Sequence, residues 1–181
     1  MLLLASSSPT RADILKAHNI EFTQQGVDFD EDSLPYTDPK EFVYFATLGK
    51  FNKAIKSIGY EIPLLVADTV VTANAQILRK AKDRDDARRI LELQSGNCVS
   101  IITCMIYKSK TKEFMDISST KYLFKEFDKV ELEEYLRGDE WVGKAGACMV
   151  EGFCKKYIKE VIGYESTAMG LSVEKIIPFL D

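Results

Sequence analysis

The chain has 181 residues, 46% hydrophobic and 29% charged, with a formal net charge of −4. That describes a globule long enough for one domain, residues 1–181, with a sizeable core. The acidic balance disfavours non-specific nucleic-acid binding, which needs a basic field, and no apolar run approaches the roughly 20 residues that span a bilayer.

The apolar start is short and lacks a basic flank, so no signal peptide is expected and the cytoplasm is the expected compartment. Cys98, Cys104, Cys148 and Cys154 form no CxxC pair and no zinc spacing, and are read as reduced, mostly buried thiols. His18 is the only histidine and falls late in the first expected helix, which argues against histidine triads and multi-histidine zinc sites. Chemistry must then run on carboxylates, lysines and arginine, with or without a bound hydrated cation.

The run Leu2-Leu3-Leu4-Ala5 breaks into Ser6-Ser7-Ser8, then Pro9, Thr10 and Arg11. This reads as a buried strand entering a helix, with Ser8 as N-cap and Pro9 at the first helical position. Such a turn presents hydroxyls, backbone N–H groups and a guanidinium to an anion, phosphate above all, or else is an ordinary capped helix. The helix is expected over Pro9 to His18 and a second strand over Ile20 to Val27. The acids Asp28, Asp30, Glu31 and Asp32 follow, a pattern usual for a solvated loop.

Asp38-Pro39 begins the longest helix, whose apolar stripe runs through Phe42, Phe45, Leu48, Phe51 and Ile55 to Gly59. Lys50, Lys53 and Lys56 recur every three residues on another face, ordinarily a wet one. Pro63 to Val71 reads as a central strand covered on both sides. Ile77-Leu78 returns from a turn at Asn74-Ala75-Gln76, and a helix through Ala87, Ile90 and Leu93 closes at Ser95-Gly96. Strands over Val99 to Tyr107 and Phe114 to Phe124, a helix after Asp128, a strand over Tyr157 to Ile162 and a closing helix over Leu171 to Leu180 complete an α/β domain around a mixed sheet.

Asp68, inside Leu64-Leu65-Val66-Ala67-Asp68-Thr69-Val70-Val71, is the sharpest chemical signal after the serine turn. A carboxylate there is costly to bury unless paired or protonated, and burial would move it toward a proton acceptor's range. The alternative is a structural acid at the strand's end. Lys80, after a short hairpin, and Lys144, in a glycine-rich turn, would join Ser6, Ser8, Arg11 and Lys53 in a cationic pocket for a polyphosphate. Glu31 and Asp68 could hold a Mg²⁺-like cation and orient water.

The opening Leu4-Ala5-Ser6-Ser7-Ser8-Pro9-Thr10-Arg11 resembles that of the Maf proteins, whose start is Leu-Ala-Ser-x-Ser-Pro-Arg-Arg. The likeness continues through Asn52-Lys53-Ala54, Ala67-Asp68-Thr69-Val70-Val71, Lys80, Ser95-Gly96, Thr103, Lys144-Ala145-Gly146-Ala147 and Gly170-Leu171, in the family's order. The resemblance implies an elongated mixed-sheet α/β fold with two lobes and a central cleft, like that of the inosine triphosphate pyrophosphatases, commonly as a homodimer. It implies a cytoplasmic nucleoside triphosphate pyrophosphatase that uses a divalent cation, Mg²⁺ or Mn²⁺. By position, Asp68 is the proton acceptor, Ser6, Ser8, Arg11, Lys53 and Lys80 bind phosphates, and Glu31 assists at metal and water.

Thr10, Asn52, Ala81, Gly143, Val99 and Ser172 depart from the family pattern. Glu151 stands where the branch resembling dTTP/UTP pyrophosphatases has glutamine. A carboxylate suits the N1–H and N2–H₂ donors of guanine, whereas an amide suits thymine or uracil, so Glu151 is the candidate reader of the base. Asp68-Thr69 resembles the dTTP/UTP branch, leaving the base open. The rival reading is a non-catalytic nucleotide sensor acting on cell division through a partner.

Overall fold

Backbone hydrogen bonding and side-chain alternation organise the chain around β1 (Leu2–Leu4) and β3 (Leu64–Ala73). In a computed structural model that describes residues 1–31 and 33–180, seven strands form one mixed sheet in the order β2-β1-β3-β5-β6-β7, with β4 paired to β3. The other strands are β2 (Phe22–Gln24), β4 (Gln76–Leu78), β5 (Cys98–Lys108), β6 (Glu113–Phe124) and β7 (Ile158–Ile162). The helices are α1 (Pro9–Ala17), α2 (Pro39–Ser57), α3 (Arg84–Gln94), α4 (Lys129–Arg137), α5 (Glu165–Ala168) and α6 (Val173–Ile176).

The chain divides into two compact units, the first comprising Met1–Thr69, Ile102–Ser119 and Tyr164–Asp181, the second Val70–Ile101 and Thr120–Gly163. In the first unit β1 lies parallel to both β2 and β3. Successive residues of a strand face opposite sides, and both sides here are apolar. Leu2, Leu4, Leu65 and Ala67 pack with Ala12, Ile14 and Leu15 of α1 and with Leu171, Val173 and Ile176 near the C-terminus. Leu3, Ala5, Leu64 and Val66 pack with Ala54 and the half-buried Phe51 and Ile55 of α2. The expected doubly covered strand is thus β3, and it runs two residues past Val71, so that Asp68 lies in its middle rather than at its end.

In the second unit β4 pairs antiparallel with the end of β3, and β7 with the end of β6. Phe127 meets Phe124 and Phe153 edge-on, with ring centroids 5.6 and 5.4 Å apart, and Tyr135 stacks on Phe153 at 4.5 Å. Asp83 and Asp128 cap α3 and α4, accepting from backbone N–H groups of their first turns.

Three expectations are corrected. The strand expected over Ile20 to Val27 narrows to Phe22–Gln24, the residues in register with Leu2–Leu4 of β1. The single closing helix is α6 followed by a 3₁₀ turn over Ile177–Phe179, where Pro178 lacks the N–H to continue an α-helix, and α5 precedes it. The cysteines are not four thiols: Cys148 and Cys154 form a disulfide, while Cys98 is free and exposed and Cys104 free and buried. A turn in which Gly152 N–H donates to Met149 C=O at 3.0 Å folds the chain back and brings the two Cα atoms to 6.6 Å, within bridging reach. Burial pushes the Cys104 thiol up to about 11.

Candidate active site

The pleat of β3 sends Asp68 and Thr69 to opposite sides, and each finds a cation from the helix on its side. Asp68 shares the parity of Leu64 and Val66 and so faces α2. On α2, Lys50 lies four residues from both Ala46 and Ala54, two fully buried positions, which puts it on the inward stripe. Lys50 Nζ stands 3.1 Å from Asp68 Oδ1 and also pairs with Glu31. The side chains of Asp68, Lys50 and Glu31 are 8%, 15% and 39% exposed. The ammonium offsets the cost of burying the Asp68 charge, the pairing such a carboxylate requires.

Asp68 Oδ1 also accepts the backbone N–H of Thr69 at 3.0 Å. Its other oxygen, Oδ2, is buried and has no hydrogen-bond partner among the described residues. One oxygen is therefore held twice, and the other is an acceptor that none of the described residues satisfies.

Glu31 reaches Lys50 because its loop is pressed against α2. A Cβ on Gly49 would run into the ring of Phe29, so the close approach of this loop needs a glycine in mid-helix. Tyr36 stacks on Phe45 with centroids 4.1 Å apart, fixing the loop's far end. Of the acidic run, Glu31 faces the site, while Asp28 and Asp30 are exposed and Asp32 lies outside the described residues.

On the other side of β3, Thr69 shares the parity of Leu65 and Ala67 and faces α1. Arg11 Nη2 donates to Thr69 Oγ1 at 3.1 Å, Nη1 to Ser6 Oγ at 3.0 Å, and Nε to the Gly170 carbonyl at 2.8 Å. Gly170 has φ +101°, and a Cβ there would crowd the guanidinium and Thr69 Oγ1 at 3.2 Å. Thr69 Oγ1 also meets Thr103 Oγ1 at 2.9 Å, and Thr103 donates to the Thr167 carbonyl at 2.7 Å. Burial lowers the Arg11 guanidinium from its ordinary value while Asp68 and Glu31 pull it back up, and it stays a cation.

Ser8 caps α1, its Oγ accepting from Arg11 N–H at 3.4 Å, and Ser6 Oγ accepts from Ser8 N–H at 3.2 Å. The serine turn, Arg11, Glu31, Lys50 and Asp68 thus belong to the first unit. Lys53, one turn beyond Lys50, is exposed. In the second unit Lys80 forms a backbone bridge to Ala145, next to Lys144, and Gly146 N–H donates to the Arg79 carbonyl at 3.2 Å. Lys80 and Glu151 are exposed, and Glu151 sits within the segment closed by Cys148 and Cys154.

Lys50 is the residue that sequence reasoning misplaced. Its grouping with Lys53 and Lys56 concealed the four-residue spacing from Ala46 and Ala54, which was the available signal. His18 falls at the end of α1, where its ring is tied to the Ile14 carbonyl.

These features define a class of α/β protein in which a strand-borne acid and a helix-start guanidinium flank one strand. The chain belongs to the family of Maf-like proteins, whose model matches residues 1–181. It is 57% identical over 178 residues to a nucleoside triphosphate pyrophosphatase of Nitratiruptor sp., covering 97% of this chain and 96% of that one. Proteins of the same description from Helicobacter pylori (strain J99) and Campylobacter jejuni are 40% and 36% identical, over 97% and 99% of this chain and 93% and 100% of theirs.

Proposed function

We propose that the protein is a nucleoside triphosphate pyrophosphatase, hydrolysing the bond between the α- and β-phosphates to release a nucleoside monophosphate and pyrophosphate. The relatives that match nearly the full chain carry that description. The observation that carries the chemistry is the divided Asp68 carboxylate, with Oδ1 held by Lys50 and the Thr69 N–H while Oδ2 has no partner among the described residues.

In this reading Oδ2 takes a proton from the attacking water, whose oxygen bonds to the α-phosphorus as the bond from that phosphorus to the bridging oxygen breaks and pyrophosphate leaves. The Thr69 N–H holds the carboxylate in one orientation, so that the free oxygen does not rotate away from the water. Phosphoryl transfer depends chiefly on positioning and charge neutralisation. Ser6, Ser8, Arg11, Lys53, Lys80 and Lys144 are assigned to the phosphates and Glu151 to the base.

Among the described residues no three His, Cys, Asp or Glu groups cluster to hold a metal by themselves. A divalent ion such as Mg²⁺ or Mn²⁺ commonly takes one or two carboxylates and completes its shell with substrate phosphates and water, and the pair Glu31 and Asp68, which already converge on one cation at Lys50 Nζ, fits that demand. Such an ion would neutralise charge on the phosphates. The same reading carries a cytoplasmic homodimer. Among the described residues no helix is long and apolar enough to cross a membrane.

The test is pyrophosphate release from dTTP, UTP, 7-methyl-GTP and ITP with Mg²⁺ or Mn²⁺. Monophosphate and pyrophosphate in equal amounts from at least one of them are expected. No turnover above blank with all four contradicts the proposal and leaves a nucleotide-binding regulator.

A further inference from the structure

We infer that Lys50 is a resident cation: it occupies the place between Glu31 and Asp68 that a divalent ion would take, and it must release that pair before the ion binds. The inference rests on the reading of Glu31 and Asp68 as cation ligands. It adds a competitor for those ligands from within the chain, at a position set apart from the lysine of the Asn52-Lys53-Ala54 segment.

Lys50 Nζ contacts Asp68 Oδ1 at 3.1 Å and pairs with Glu31 at the same time. Two carboxylates converging on one point repel unless a positive charge lies between them. A compact ammonium meets that need, as a divalent ion would, and both seek the same oxygens. Lysine suits the place-holder's role because its charge ends a flexible four-carbon stem and can withdraw without moving the backbone.

The surroundings are fixed. Phe29 against Gly49 pins the Glu31 loop, and the Thr69 N–H holds Asp68 Oδ1. The Asp68 side chain is more than nine-tenths buried, yet among the described residues Oδ2 has no partner. The oxygens an ion would take at this point are therefore the ones Lys50 engages. An ion entering alone has to displace the ammonium from a largely desolvated pair, so the free protein should bind it weakly.

The experiment is titration of nucleotide-free protein with Mn²⁺, reading free Mn²⁺ by electron paramagnetic resonance, for wild type, Lys50→Met, Lys50→Arg and Lys50→Met combined with Glu31→Gln. Lys50→Met should bind Mn²⁺ about tenfold tighter or more, since a charge at contact distance in a partly buried site is worth at least that factor. Lys50→Arg should bind no tighter than wild type, and Glu31→Gln should abolish the gain. Folded Lys50→Met that binds no tighter than wild type, or a gain that survives Glu31→Gln, overturns the inference.

If Lys50→Met does not fold, wild-type protein supplies the answer through acylation of lysine amines followed by mass spectrometry. Saturating Mn²⁺ should raise modification of Lys50 relative to the exposed Lys56, and an unchanged ratio overturns the inference. Ion binding is read here without substrate, so failure of the turnover assay and failure of this inference are separate results.

Discussion

The two units hold their candidate site residues in opposite ways. In the first, Arg11, Lys50 and Asp68 are drawn inward and tied to partners distant in sequence, Arg11 to Thr69 and Gly170, Lys50 to Glu31 and Asp68. In the second, Lys80 and Glu151 are exposed, and what fixes them is backbone: a bridge to Ala145 and a segment closed by a disulfide. Buried, paired charge costs stability when one partner is lost. Exposed charge on a braced backbone is free to meet a ligand. The first arrangement sets where each charge sits before a ligand arrives, and the second suits groups that adapt to what is bound.

If this contrast holds, substitutions in the first unit should damage fold and activity together. Arg11→Lys should have the largest effect: one ammonium cannot replace three donors that diverge toward Ser6, Thr69 and Gly170. A loss of about 2–4 kcal/mol on urea unfolding is expected, from unsatisfied acceptors around a poorly fitting cation. An unchanged midpoint would show that the network is not structural.

Gly49→Ala comes next. The added methyl meets the Phe29 ring, so either the ring moves and Glu31 leaves Lys50, or strain of about 1–3 kcal/mol appears. An exposed mid-helix Gly→Ala change would ordinarily stabilise by up to about 1 kcal/mol, so the sign itself is diagnostic. A stabilised, fully active variant would contradict the packing of that loop.

Changes in the second unit should be smaller and should separate fold from specificity. Reducing the Cys148–Cys154 bond removes a constraint on a short loop, worth about 2 kcal/mol at most in the chain-entropy picture, and a thermal melt with and without dithiothreitol measures it. Glu151→Gln should leave the melting temperature within about 1 °C, because surface changes lie within about 0.5 kcal/mol. It should shift kcat/KM from guanine-type toward pyrimidine triphosphates by a few-fold up to about tenfold. Equal ratios across bases would remove Glu151 from base recognition.

The same contrast explains what was legible in the amino-acid order. Local chemistry spoke clearly: Ser8-Pro9 and Asp38-Pro39 start helices where expected, and the apolar run around Asp68 is a strand covered on both sides. Asp68 itself stood out because a lone acid among branched apolar residues has few bland explanations. Lys50 did not, because lysines at positions 50, 53 and 56 look alike until the packing of Ala46 and Ala54 shows which one points inward. Glu31 was one acid among several, distinguished only by Phe29 reaching Gly49. The pairing of Cys148 with Cys154 depends on the turn at Met149–Gly152, which no spacing rule encodes.

The central claim is that Asp68 moves the proton while other residues bind the nucleotide, and Asp68→Asn tests it most directly. With a triphosphate that wild type hydrolyses, pyrophosphate release should fall by about 10²–10⁴-fold, while the dissociation constant for the same nucleotide, measured without added metal, stays within about threefold. Asp68→Asn that turns over at a rate close to wild type would contradict the account.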